Sequence, residues 1–255
     1  NGTTFEELYA LYQFDRDIRH IYLKYLLKVE NTFKSVLAHE FSALYGHDNY
    51  LKLENFDAVP DNISSIIKLF GDIQQETARQ MSKHHQAVTH YLSEYGYIPL
   101  WVLVNVLTFG KVTMFYKLMK PQDKQNIARK FHVDAKELHK YMSLCGLARN
   151  QCAHDERFFD LKFRWHLHTR SVANFSCLGL ERDKSGSYPS GTNDVYAIGI
   201  VFARLLGTAD TAEFIASMSA AFSKLEQQLH TISIKDVMRI MGYPAAWERL
   251  QQLAR

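Results

Sequence analysis

Helix breakers are scarce in this chain. Five prolines and 12 glycines in 255 residues leave few places where a helix must stop, and a turn-rich β fold is disfavoured. Cysteine is scarcer still. Cys145, Cys152 and Cys177 are an odd number without paired spacing, which argues against a disulfide framework and for a reducing, cytoplasmic compartment. No uncharged apolar run approaches the roughly 18 residues of a membrane span, and no signal peptide is visible, so no membrane partner is expected. Glycine-rich phosphate loops and Ser-His-Asp arrangements are also missing. The chain opens Asn1-Gly2-Thr3-Thr4 without an initiator methionine, and further sequence is expected before it.

What is present reads as a helical array. Apolar residues make up 47% and charged residues 22%, enough for a packed core in one large or two small domains. Thr4 and Glu7 have capping-box spacing. Leu8, Tyr12, Ile18, Tyr22, Leu26, Phe33, Leu37 and Phe41 then recur at helical intervals up to Gly46. This predicts one very long helix, or two broken near Phe14-Asp15. A second helix is predicted from an Asp61 cap into the middle 80s, with Ile63, Ile66, Ile67, Phe70 and Ile73 as its apolar stripe. His84 to Tyr95 continues helically. Leu100 to Leu107 is apolar enough to read as a buried central helix. Pro121 opens a further helix, and Asp134 caps the one that follows. After a Ser/Gly-rich loop over 183–193, helices are expected near 194–207, 211–230, 233–241 and 245–254. Ser233 and Asp236 form another capping box, with Gly242 as a C-cap. No segment demands a strand, so the fold class is all-α.

Charge is unevenly spread. Residues 1–110 carry 9 basic and 13 acidic side chains, residues 111–182 carry 14 and 7, and residues 183–255 carry 7 of each. The basic excess fits a polyanionic partner. The plainer reading is chance clustering on solvated helix faces.

That basic third contains Arg149-Asn150-Gln151-Cys152-Ala153-His154. Asn150 and His154 are four apart and share a helix face, and Arg149 starts about 140° round from His154. A guanidinium offers paired donors to phosphate oxygens, and histidine exchanges protons near neutral pH. RNA carries its own nucleophile, the 2′-hydroxyl, so this set needs no metal and no cofactor to break a phosphodiester. The reaction wants both a base and an acid, and one chain supplies one His154. A two-fold homodimer would supply two histidines and two arginines around one phosphate. Taken alone, the spacing also fits an ordinary polar helix face or partners of a helix C-terminus.

The surroundings strengthen the pattern. Arg149…His154 resembles the R-x4-H signature of HEPN ribonuclease domains. Phe14 to Arg19 followed by Val29-Glu30, Leu100-Trp101 with Leu107 to Gly110, and Leu147 to His154 with Arg157 resemble the Abi-like (abortive infection, AbiD/AbiF-type) branch of that superfamily. Asn105 departs from the pattern, standing where an acidic residue is usual. The resemblance covers about residues 5–160, with a weaker likeness around Gly242 to Pro244 and Trp247. It implies a HEPN-type helical core over 1–160 and a C-terminal helical extension over 161–255 packed on the same domain. It further implies a metal-independent endoribonuclease acting as an anti-phage toxin, with His154 as acid/base, Arg149 as transition-state clamp and Asn150 as orienting group. Because relatives in the Abi-like branch can be held in check by a small structured RNA, the resemblance also implies RNA as both substrate and regulator. The alternative is a non-catalytic module that only sequesters RNA.

Other constellations are weaker. Lys162, Arg164, Trp165, His166, His168 and Arg170 interleave basic and aromatic side chains suited to phosphates and unpaired bases. An amphipathic helix burying Phe163 and Leu167 explains them equally well. Arg16 and Arg19 would line the cleft beside Glu30, although a buried ion pair is the plainer account. The spacing of His84, His85 and His90 does not make one helix face, and no metal is expected there. Cys152 is read as packing.

Overall fold

The computed structural model describes residues 2–167 and 175–254. The described chain is all-α. Its helices are α1 (Phe5–Tyr45), α2 (Pro60–Ser82), α3 (Gln86–Tyr95), α4 (Leu100–Val106), α5 (Phe109–Leu118), α6 (Pro121–Lys130), α7 (Ala135–Ala153), α8 (Val195–Leu205), α9 (Thr208–Glu226) and α10 (Ile234–Met241). Short 3-10 segments occupy Leu53–Asn55, Phe175–Leu178 and Trp247–Leu253. Among the described residues there is no strand, and only Phe56 with Met119 and Lys162 with Asp194 form isolated β-bridges.

The Thr4–Glu7 box starts α1: the Glu7 amide donates to Thr4 Oγ1 at 3.3 Å and the Thr4 amide to Glu7 Oε2 at 3.2 Å. The helix runs unbroken past Phe14-Asp15, because nothing in 41 residues interrupts its hydrogen-bond ladder. Gly46, at φ +85°, ends it in the left-handed conformation that glycine adopts without steric cost.

The chain divides into two compact units, Asn1–Val29 with Leu144–Arg255, and Glu30–Ser143. Both α1 and α7 cross the division.

In the first unit, Tyr22 and Tyr25 of α1 meet Phe202 and Phe214 edge-on or tilted, with centroids 5.2 to 5.8 Å apart. Phe158 adds a further edge contact to Tyr22 at 4.9 Å. Every residue of α8 from Val195 to Ala203 is buried. Asp194 caps that helix, accepting from the Ala197 amide at 3.1 Å, and also takes the Gly191 amide at 2.8 Å. A Cβ at Gly242 (φ +86°) would fall 2.1 Å from Asp194, so only glycine fits that C-cap.

The second unit is built on Phe33, which packs on Tyr116 at 5.5 Å, and on Phe41 and Phe56, which pack on Phe115 at 5.1 and 5.0 Å. Lys34 is buried there, paired with Glu30 at 2.8 Å and donating to the Leu107 carbonyl at 3.0 Å.

Several expectations are corrected. Pro60 rather than Asp61 opens α2, whose buried stripe is Ile66, Leu69 and Ile73; Ile63 and Ile67 are exposed. That helix stops at Ser82. His84 takes a positive φ of 51°, and His85 starts α3 by accepting the Val88 amide. The apolar α4 is buried through Leu100, Leu103 and Val104, but Trp101 is exposed. In α1, Leu8 and Tyr12 face solvent although they continue the apolar spacing.

Candidate active site

The motif lies where α7 ends. Asp134 caps the start of that helix by accepting the Glu137 amide at 2.8 Å, and its buried positions Leu138, Tyr141, Leu144, Cys145 and Ala148 set its rotation. That rotation leaves Asn150 and His154 exposed and Arg149 half-buried. The last helical hydrogen bond runs from the His154 amide to the Asn150 carbonyl at 3.0 Å. Asp155 then adopts φ +59° and turns the chain away. The carboxyl end of a helix repels anions, so a phosphate there depends on side-chain cations rather than on backbone amides.

Arg19, expected to line the cleft, instead braces this turn, together with residues not predicted as site residues. The buried Asp15 of α1 accepts from the Phe158 and Phe159 amides at 2.9 and 2.7 Å. Its other oxygen pairs with Arg19 Nε at 3.2 Å. The opposite end of the Arg19 guanidinium grips Asp155, the residue after His154. That contact holds the Asp155 carboxyl below the ordinary aspartate range. Gln151 adds a bond to the Arg157 carbonyl at 3.2 Å. The i, i+4 spacing of Asp15 and Arg19 was visible in the sequence; their partners at 155, 158 and 159 were not.

Arg19 therefore belongs to a buried ion-pair network, while Arg16, on the same helix, is exposed. Glu30 belongs to the second unit, where Lys34 pairs with it. Arg157 is exposed and pairs with Asp160 at 2.7 Å. The Asn105 amide donates to the Trp101 carbonyl at 2.9 Å, a local helix-face bond.

Residues 162–167 are not helical, which corrects the amphipathic-helix reading. They form an irregular strap with a bend at Arg164 and Trp165. The Phe163 amide donates to the Asn193 carbonyl at 2.6 Å and the Leu167 amide to the Thr192 carbonyl at 2.7 Å. Phe163 and Leu167 are buried, as that reading had it, and Arg164, Trp165 and His166 are exposed. Lys162 Nζ lies 3.4 Å from buried Asp194. His166 Nδ1 lies 3.3 Å from Thr192 Oγ1. Arg170 and His168 lie outside the described residues.

Among the described residues, no group of three His, Cys, Asp or Glu side chains is placed to hold a metal ion. Cys152 is buried, and desolvation pushes its thiol up to about 12, so it is no nucleophile at neutral pH. No described helix is long and apolar enough to cross a membrane. No curated protein and no solved structure matches the chain. The family model described as Abi-like protein does match, over residues 1–160. That span takes in α1, the whole of α7 and the Asp15–Arg19–Asp155 brace behind His154, and the chain belongs to the family of Abi-like proteins.

Proposed function

We propose that this chain is a metal-independent endoribonuclease of the HEPN type, acting as an abortive-infection toxin against phage. The observation that carries the reading is the presentation of Asn150 and His154 to solvent at the end of α7, next to Arg149 and on a turn held by Arg19 and Asp15. A histidine meant to move protons must be reachable and must not wander; the exposure of His154 and the grip of Arg19 on the neighbouring Asp155 support this reading.

In the proposed reaction, the 2′-hydroxyl of one ribose loses its proton to His154 and attacks the adjacent phosphorus. The P–O bond to the 5′-oxygen of the next nucleotide breaks. The products are a 2′,3′-cyclic phosphate and a 5′-hydroxyl, whose proton comes from the second histidine of a homodimer. Arg149 neutralises the crowded phosphoryl oxygens, and Asn150 orients the phosphate. Arg157, Arg16 and the exposed Arg164, Trp165 and His166 supply the wider RNA surface. Regulation by a small structured RNA belongs to the same reading, as does a reducing, cytoplasmic setting.

The test is incubation with RNA in EDTA beside His154→Ala and Arg149→Ala. Cleavage that survives EDTA and vanishes in both variants supports the enzyme. An inert wild type that still binds RNA tightly identifies a sequestering module instead.

A further inference from the structure

The first turns of α1 carry an aromatic ladder that the folded core leaves uncovered. Phe5, Tyr9 and Tyr12 are all more than half exposed. Their spacing of four and three residues puts them on one helix face. Ring centroids are 6.4 Å apart between Phe5 and Tyr9 and 6.3 Å between Tyr9 and Tyr12, with planes inclined by 15° and 30°. Each end of the ladder opens into a cavity. At the Tyr12 end, a cavity of about 390 Å³ is bounded by Leu11, Phe159, Asp155 and Arg157. At the Phe5 end, one of about 580 Å³ is bounded by Lys224, Gln228 and His230.

We propose that this ladder and the Tyr12 cavity form a binding track for single-stranded RNA, with an unpaired base seated between Tyr12 and Phe159. The inference rests on RNA being the substrate. Three features favour RNA over a protein partner. Aromatic faces in sequence suit unpaired bases, which stack regardless of identity. Cations stand at both ends of the ladder. Arg157 and Lys224 are held by the surface pairs with Asp160 and Asp17, and such pairs are weak enough for a polyanion to displace. The Tyr12 cavity also has polar edges in Asp155 and Arg157, which can read the hydrogen-bonding edge of a base. Asp155 follows His154 directly, so a base in this cavity is held close to the reacting phosphate. The track thereby becomes a determinant of which nucleotide flanks the cut.

The probe is a short single-stranded 2′-O-methyl oligonucleotide carrying 2-aminopurine, which lacks the nucleophile and cannot be cut. Binding to the full chain is followed by anisotropy and by quenching of the 2-aminopurine. Tyr12→Ala is expected to weaken binding about tenfold and to relieve quenching, while Tyr12→Phe retains both. Arg157→Ala is expected to weaken binding and to flatten its salt dependence. Unchanged affinity in Tyr12→Ala overturns the track. So does a shift of that variant from dimer to monomer in light scattering with RNA affinity intact, which would make the ladder an interface between copies. The two proposals fail separately. A wild type that binds this oligonucleotide through Tyr12 but cuts no RNA loses the ribonuclease reading and keeps the track; a wild type that cuts RNA, with Tyr12→Ala unchanged in Kd and KM, does the reverse.

Discussion

Two segments of the first unit look alike on paper and differ in the folded chain. Residues 149–157 and 162–167 both mix cations, a histidine and apolar side chains. The first leaves the end of a helix whose rotation is fixed by a buried face, and a two-carboxylate, one-guanidinium brace holds the turn that follows. The second is tied by its backbone to Thr192 and Asn193; Lys162 leans on Asp194 and His166 on Thr192, while Arg164 and Trp165 between them are exposed. Proton transfer needs fixed geometry, whereas gripping a flexible polyanion needs only charge and area. Under the proposed function, chemistry belongs to the first segment and affinity to the second.

The largest effects should fall on the first segment. His154→Ala and Arg149→Ala are each expected to lower kcat by about 10²–10⁴-fold, and exposed His154→Ala to keep an unfolding curve near wild type, as single-turnover cleavage and denaturant titration would show. Equal losses from substitutions at Arg164 or Trp165 would erase the contrast. Arg19→Ala tests the brace. It leaves Asp15 buried without its cation, so a loss of about 3 kcal/mol in stability is expected, together with a fall in kcat that exceeds any loss of RNA affinity. Gly242→Ala strikes the anchor beneath the strap, because the new methyl group collides with Asp194 and the left-handed backbone is strained. A cost of about 2–3 kcal/mol is expected, with Arg149-dependent cleavage per folded molecule retained. Trp165→Ala is the smallest. Stability should stay within about 0.5 kcal/mol, and RNA affinity should fall only several-fold.

Acid sets a further test on the first unit. Buried Glu7 receives the Thr231 and His230 amides and the Thr231 hydroxyl, each within 2.8 Å. These bonds, the Thr231 amide foremost, lower its carboxyl from 4.5 to about 2. The native state therefore favours the ionised form. Its contribution to stability is complete above pH 4.5 and is lost as pH falls from there towards 2. In Glu7→Gln that part of the pH dependence should disappear from thermal unfolding curves.

Much of this architecture is written locally. The boxes at Thr4–Glu7 and Ser233–Asp236, the cap at Asp134 and the stops at Gly46 and Gly242 involve residues three or four apart, and all appear as expected. What stayed hidden depends on distant partners. Glu7 was legible as a capping residue but not as the acceptor for residues 230 and 231. Asp194 gave no sign that it would sit against Gly242. Periodicity also cannot tell a buried stripe from an exposed one when apolar residues continue along a helix. For that reason the series that includes Leu8 and Tyr12 did not show that these two face solvent, and a short basic-aromatic run was open to an amphipathic-helix reading. At the candidate site, the spacing placed Asn150 and His154 on one face, and the turn at Asp155 with its brace came only from the fold.

The thiols offer a practical handle. Cys145 and Cys152 are buried and desolvation raises both, while Cys177 is only partly covered. A mild alkylating dye should therefore mark the native protein at Cys177 alone, and the appearance of label at Cys152 would time the moment at which the end of α7 comes undone.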